Sequence, residues 1–137
     1  MASLLNPYLT FPGTTREAME FYRDVFGGTL AVNTFAEFEE QDPALADKVM
    51  HARLDTDGGF TLMASDPPPG TPVEPGTNIA VSLSGDDDAE LRGYWTKLSD
   101  GGTVQMPLEK QIWGDTFGMC TDRFGLPWMV NIAGSSG

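Results

Sequence analysis

Cysteine, histidine and basic side chains are scarce in these 137 residues, and each scarcity removes a class of function. Cys120 is the one cysteine, which excludes an intrachain disulfide and fits a reducing cytosol, so a cytoplasmic location is expected. Eight Lys and Arg stand against twenty Asp and Glu, a formal charge of -12. Such a chain repels a phosphate backbone instead of displacing its counterions, so neither nucleic acid nor an anionic membrane surface is an expected partner. No apolar run approaches the roughly 18 residues of a membrane-spanning helix. The start, Met1 to Pro7, lacks the basic and apolar regions of a secretory signal.

What is present is a regular alternation of strand and helix patterns. Leu4 to Phe11 reads as a strand ended by Pro12-Gly13. Thr14 with Glu17 makes a capping-box pattern, and Ala18, Phe21, Tyr22 and Val25 recur at helical spacing until Gly27-Gly28. Strands are expected over 29–38, 49–56 and 60–65, with a short helical stretch over 42–48 and a tight turn at Asp57-Gly58-Gly59. The proline-rich stretch 66–77 suits neither helix nor central strand and reads as a stiff linker.

After the linker the order begins again. A strand over 78–83 is followed by a helix over 86–98, with Leu91, Trp95 and Leu98 on one face, and by Asp100-Gly101-Gly102. Three more strands are expected over 103–106, 116–121 and 126–132. Gly27 and Gly101 lie 74 residues apart, Gly59 and Gly125 lie 66 apart, and Asn6 aligns with Asn78 at 72. This is an internal repeat of a βαβββ unit. The expected organisation is one α+β domain made of module 4–66, linker 66–77, module 78–132 and a flexible tail 133–137.

Seven segments in order carry a family likeness: Asn6 to Phe11, Glu17 to Gly28, Met50 to Ala52, Leu62 to Asp66, Met106 to Leu108, Trp113-Gly114 and Asp122 to Trp128. Together they resemble the PhnB-like branch of the vicinal-oxygen-chelate superfamily, which includes glyoxalases, bleomycin-resistance proteins and ring-cleaving dioxygenases. The resemblance implies tandem βαβββ modules in a curved, mostly antiparallel sheet with helices outside, a small-molecule cavity, and a homodimer. It also implies a place for a divalent metal, held in the metalloenzymes by the first and last strands of each module. The matching positions are Asn6, Met63, Asn78 and Met129.

Two amides and two thioethers are poor donors for a hard divalent ion, which wants His, Asp or Glu. A slip of one residue brings in Leu5, Pro7, Leu62, Ala64, Thr77, Ile79, Trp128 and Val130, none of them a better ligand. No metal and no other cofactor is expected. His51, the lone histidine, is the one residue around which an alternative metal site could form.

Period two places Tyr8 and Thr10 beside Asn6, Thr61 and Ser65 beside Met63, and Ala80 and Ser82 beside Asn78. His51, Arg53 and Asp55 share one strand face, while Met50, Ala52 and Leu54 share the other. The expected cavity residues are therefore Asn6, Tyr8, His51, Arg53, Met63, Asn78 and Met129. Such a lining suits a small, partly apolar ligand, with Arg53 pairing either with an acidic ligand group or with Asp55 or Asp66. Catalysis is left open, because no nucleophile is assigned beside His51. The expected function is metal-free small-molecule binding. Its alternatives are a metal-dependent lyase or dioxygenase, and sequestration of a cationic drug. A nucleotide-type cofactor site is not expected, since no glycine-rich loop follows a parallel strand.

Overall fold

A computed structural model describes residues 3, 5–38, 48–68, 71–74, 76 and 78–134. The chain divides into two compact units, 1–74 and 75–137, and each repeats the same plan. The first contains β1 (Tyr8–Thr10), α1 (Thr15–Phe26), β2 (Thr29–Thr34), a single 3-10 turn (Phe35–Phe38), β3 (Val49–Asp55) and β4 (Thr61–Ser65). The second contains β5 (Val81–Gly85), α2 (Asp88–Ser99), β6 (Thr103–Lys110), β7 (Thr116–Thr121) and β8 (Pro127–Ile132). The sheet orders are β1-β4-β3-β2 and β5-β8-β7-β6. In each sheet the first strand runs parallel to the last, and the remaining neighbours are antiparallel. This is the expected α+β arrangement of two βαβββ modules.

Each helix covers one face of its own sheet. Thr15, Ala18, Met19, Tyr22, Val25 and Phe26 form the buried stripe of α1. The alternate strand residues Leu9, Ala52, Leu54, Leu62 and Ala64 are buried with it, each large apolar side chain gaining roughly 1.5–3 kcal/mol from burial. In the second unit Leu91 and Leu98 are the buried residues of α2, and Leu83, Cys120, Trp128, Val130 and Ile132 are buried on the strands. Period two sends the intervening residues of every strand to the opposite, open face of the sheet.

The second glycine of each pair serves the same close approach. A Cβ at Gly28 would collide with the carbonyl oxygen of Asp55, and one at Gly102 with that of Thr121. These contacts let the start of β2 or β6 meet the end of β3 or β7, and only glycine fits there. The two hairpin turns also match. Thr56 and Phe60 exchange the closing bond of one, Asp122 and Leu126 that of the other, and Gly59 and Gly125 take φ of 91° and 90°.

Several boundaries differ from expectation for local reasons. β1 is short because Pro7 has no N–H to extend the ladder, although its carbonyl still accepts from Met63. β5 starts at Val81, not at Asn78, because Val81 pairs with Trp128 and the next residue back would face Pro127, which lacks a donor. β2 stops at Thr34, where the register to β3 shifts. β6 runs on past Met106 to Lys110; as an edge strand with two register shifts it accommodates Pro107.

The Thr14 capping box does not form, since Thr14 makes no side-chain cap bond. The carboxylate of Asp66 takes its place, accepting from Thr15 N at 3.2 Å and Val49 N at 2.9 Å, and so ties α1 to β3. In the second module Asp87 caps α2 by accepting from Glu90 N. The helical stretch expected over 42–48 lies outside the described residues except for Lys48. In the linker, the described residues form neither helix nor strand. Of the expected tail, Ala133 donates to Gly85 O and Gly134 to the Asp115 carboxylate, so these two residues are tied to the second unit.

Candidate functional site

The open face of the first sheet carries a row of four side chains, one from each strand. Tyr8 on β1 pairs with Met63 on β4, Met63 with Arg53 on β3, and Arg53 with Ala31 on β2. A second row holds Asn33 and its partner His51, and a third holds Thr29, Asp55 and Thr61. This face is only partly covered: Tyr8 is 53% exposed, while His51, Arg53 and Met63 are half-buried.

Two polar groupings organise it. The rings of Tyr8 and His51 stack with centroids 5.9 Å apart, and Tyr8 Oη lies 3.4 Å from His51 Nδ1, the direction of the bond depending on the imidazole tautomer. Arg53 Nε donates to both oxygens of Asp55, at 3.1 and 3.0 Å, and Thr61 Oγ1 donates to Asp55 Oδ1 at 3.1 Å. The hydrogen bond from Arg53 is the main reason that the Asp55 carboxyl is held below its ordinary value of 3.8, with Thr61 assisting. Of the two acids expected to compete for Arg53, Asp55 takes it and Asp66 is spent on the α1 terminus.

The structure thus brings Tyr8, His51, Arg53 and Met63 onto one face. Asn6 is half-buried just ahead of β1. Met129 lies on the open face of the second sheet, on β8, paired with Ser82 and Met119. Asn78 is exposed and precedes β5. Register also corrects the repeat: because Tyr8 pairs with Met63 and Ser82 with Met129, Tyr8 corresponds to Ser82, and Asn6 corresponds to Ala80 instead of Asn78. The glycine spacing of 74 already carried that answer, and the Asn6–Asn78 match was a coincidence of residue type.

Residues missed from sequence are Ala31 and Asn33, which antiparallel pairing of β2 with β3 would have placed, and Met119. Met119 is the repeat counterpart of Arg53, 66 residues on. The matching row of the second sheet reads Ser82, Met129, Met119, Met106, so the first sheet's guanidinium is replaced by a thioether. Trp113 and Phe117 add aromatic surface, 6.3 Å between centroids. One open face is polar with a cation; the other is rich in methionine.

The donors at the positions where the family resemblance implies a metal do not suit a hard divalent ion. Met63 is flanked across the ladder by Arg53, which has no lone pair to offer a metal. Asp55, on the same strand face as Arg53, is already engaged by Arg53 and Thr61. Among the described residues no group of three or more His, Cys, Asp or Glu converges, and no helix is long and apolar enough to cross a membrane.

Comparison with known proteins agrees with the fold. The family model for the Glyoxalase/Bleomycin resistance protein/Dioxygenase superfamily matches residues 4–130. The crystal structure of protein PA1353 from Pseudomonas aeruginosa is similar at 44% identity and a TM-score of 0.86, covering 96% of this chain and 98% of that one. The PhnB protein from Bacillus cereus shares the fold at 23% identity and a TM-score of 0.75, over 96% of this chain and all (100%) of its own. Protein YjdN of Escherichia coli K12 is 26% identical over 93% of this chain and 94% of its own length.

Proposed function

Because the chain belongs to the Glyoxalase/Bleomycin resistance protein/Dioxygenase superfamily, we propose that it is a PhnB-like, metal-free member whose first sheet binds a small, partly apolar molecule on its open face. The observation that carries this reading is the direct cross-strand pairing of Arg53 with Met63. At the place where the resemblance implies a Lewis acid, this chain has a thioether beside a guanidinium. A thioether is a poor donor for a hard cation, and the guanidinium beside it, already paired with Asp55, adds hydrogen-bond donors and no metal ligand. Tyr8, on the other side of Met63 from Arg53, meets His51 of the strand that carries Arg53, so polar groups flank the thioether on both neighbouring strands. A cytoplasmic homodimer belongs to the same proposal, on the strength of the family resemblance and the cysteine usage.

A fragment screen read by nuclear magnetic resonance, with the methionine methyls and the backbone amides labelled, tests it. The expected hits shift Met63, His51 and Tyr8 in the absence of any added metal. Hits that move only residues elsewhere, or that bind only after a divalent ion is added, would overturn it. Binding confined to cationic drugs would favour sequestration over this reading.

A further inference from the structure

Three of the seven methionines stand side by side on the open face of the second sheet. Met106 on β6 pairs directly with Met119 on β7, and Met119 with Met129 on β8, so each of three adjacent strands contributes one thioether. Met106 is 40% exposed and the other two are half-buried, which leaves the row open to solvent. The fold does not demand methionine there: the counterparts of Met119 and Met106 in the first sheet are Arg53 and Ala31. The edge strand is also shaped around this row. The register of β6 shifts on both sides of Met106 and holds at the Met106–Met119 pair, whereas β2 passes Ala31 without a shift. Bulges of this kind re-aim a side chain and are over-represented beside functional sites.

We infer that Met106, Met119 and Met129 form a binding site for one soft monovalent ion, Cu(I) or its analogue Ag(I). Thioether sulfur selects such ions and disfavours the hard divalent ones argued against above. The two outer strands lie roughly 9–10 Å apart at ordinary sheet spacing. An unbranched side chain with three rotatable bonds spans half of that, so Met106 and Met129 can meet at an ion above the central Met119. The paired residues of the two flanking rows include one acid, Glu109, and no Lys or Arg. Cys120 would be the stronger soft donor, but it is 1% exposed on the opposite, buried side of β7, where burial pushes its thiol up to about 11. The ion enters as the monovalent species, and no electron is transferred. This site goes beyond the small-molecule reading of the first sheet and does not depend on it. Met63 supplies an internal control: it is the repeat counterpart of Met129, but its ladder neighbours are Tyr8 and Arg53, so it is a lone thioether.

Titration with Ag(I) in chloride-free and thiol-free buffer, followed by nuclear magnetic resonance of carbon-labelled methionine methyls, tests the site; Cu(I) supplied anaerobically in acetonitrile repeats it. At one equivalent of Ag(I) the methyls of Met106, Met119 and Met129 are expected to shift together while that of Met63 stays in place. Excess Zn(II) is expected to move none of them. Met119→Leu conserves volume, so it is expected to stay folded by circular dichroism and to weaken Ag(I) binding by about ten-fold or more. Cys120→Ala is expected to leave binding unchanged. Methionines that only fill an apolar face predict the opposite: the three methyls stay in place, or Met119→Leu binds as the wild type does, and either result would overturn the site. Ion uptake that shifts Met63 as readily as the other three, or that is lost in Cys120→Ala, would overturn it too. The first-sheet reading stands or falls separately, on its own fragment screen.

Discussion

Single residues in this protein show their roles through the partners they hold. The Asp122 carboxylate is buried and accepts from Phe124 N, Leu126 N and the Trp128 indole, at 2.8, 3.1 and 2.9 Å. Asp122→Ala strands three donors in the β7–β8 turn and is expected to cost about 3 kcal/mol, measurable by urea unfolding. Cys120 is buried beside it. Loss of solvent, with the Asp122 charge second, pushes the thiol up to about 11 from an ordinary 9.0. The folded state therefore keeps its proton where the unfolded chain has released it. The resulting contribution is complete below pH 9 and is lost as the pH rises toward 11. The stability of the wild type relative to Cys120→Ala should fall across that window, whereas a constant gap would refute the burial argument. Asp55 shifts the other way, so its contribution is present above its ordinary value of 3.8 and lost on acidification below it. Arg53→Gln should raise the Asp55 titration followed by carbon resonance.

At the scale of elements, the repeat is a set of interchangeable fittings, and it makes sharp comparisons possible. Gly28 and Gly102 sit against carbonyls, while Gly59 and Gly125 take positive φ in turns with open space around them. Alanine at Gly28 or Gly102 must push a strand end aside and is expected to cost more than 3 kcal/mol. At Gly59 or Gly125 it meets only backbone strain, about 1–2 kcal/mol. Equal costs at the four sites would contradict the close-approach reading. Much of this level was legible beforehand: the glycine pairs, the turn residues and the helical stripes located α1, α2, β7 and both hairpins within a residue or two. Strand starts were not legible at Asn78 or Leu4, because the ladder's end is decided by a proline, Pro127 in the neighbouring strand for the one and Pro7 for the other. The cap of α1 was hidden for a similar reason. Asp66 is 51 residues from Thr15 in sequence, and no local pattern announces a partner so distant. Asp66→Ala is expected to cost about 1–2 kcal/mol and to increase amide exchange first in the opening turn of α1.

For the whole molecule, two units of one design carry open faces of different chemistry. Alternation alone placed Tyr8, His51, Arg53 and Met63 together, since period two is a local property that survives folding. The cross-strand rows required register, which sequence reading lacked; they revealed that Met63 faces a guanidinium where its counterpart Met129 faces a thioether. That difference is the reason for reading the first sheet as a ligand face without a metal. The most direct measurement is elemental analysis of the protein purified without chelator, at known molar concentration. No divalent transition metal is expected at a stoichiometric level. One equivalent of such a metal per chain, lost in His51→Ala while that variant remains folded, would contradict it.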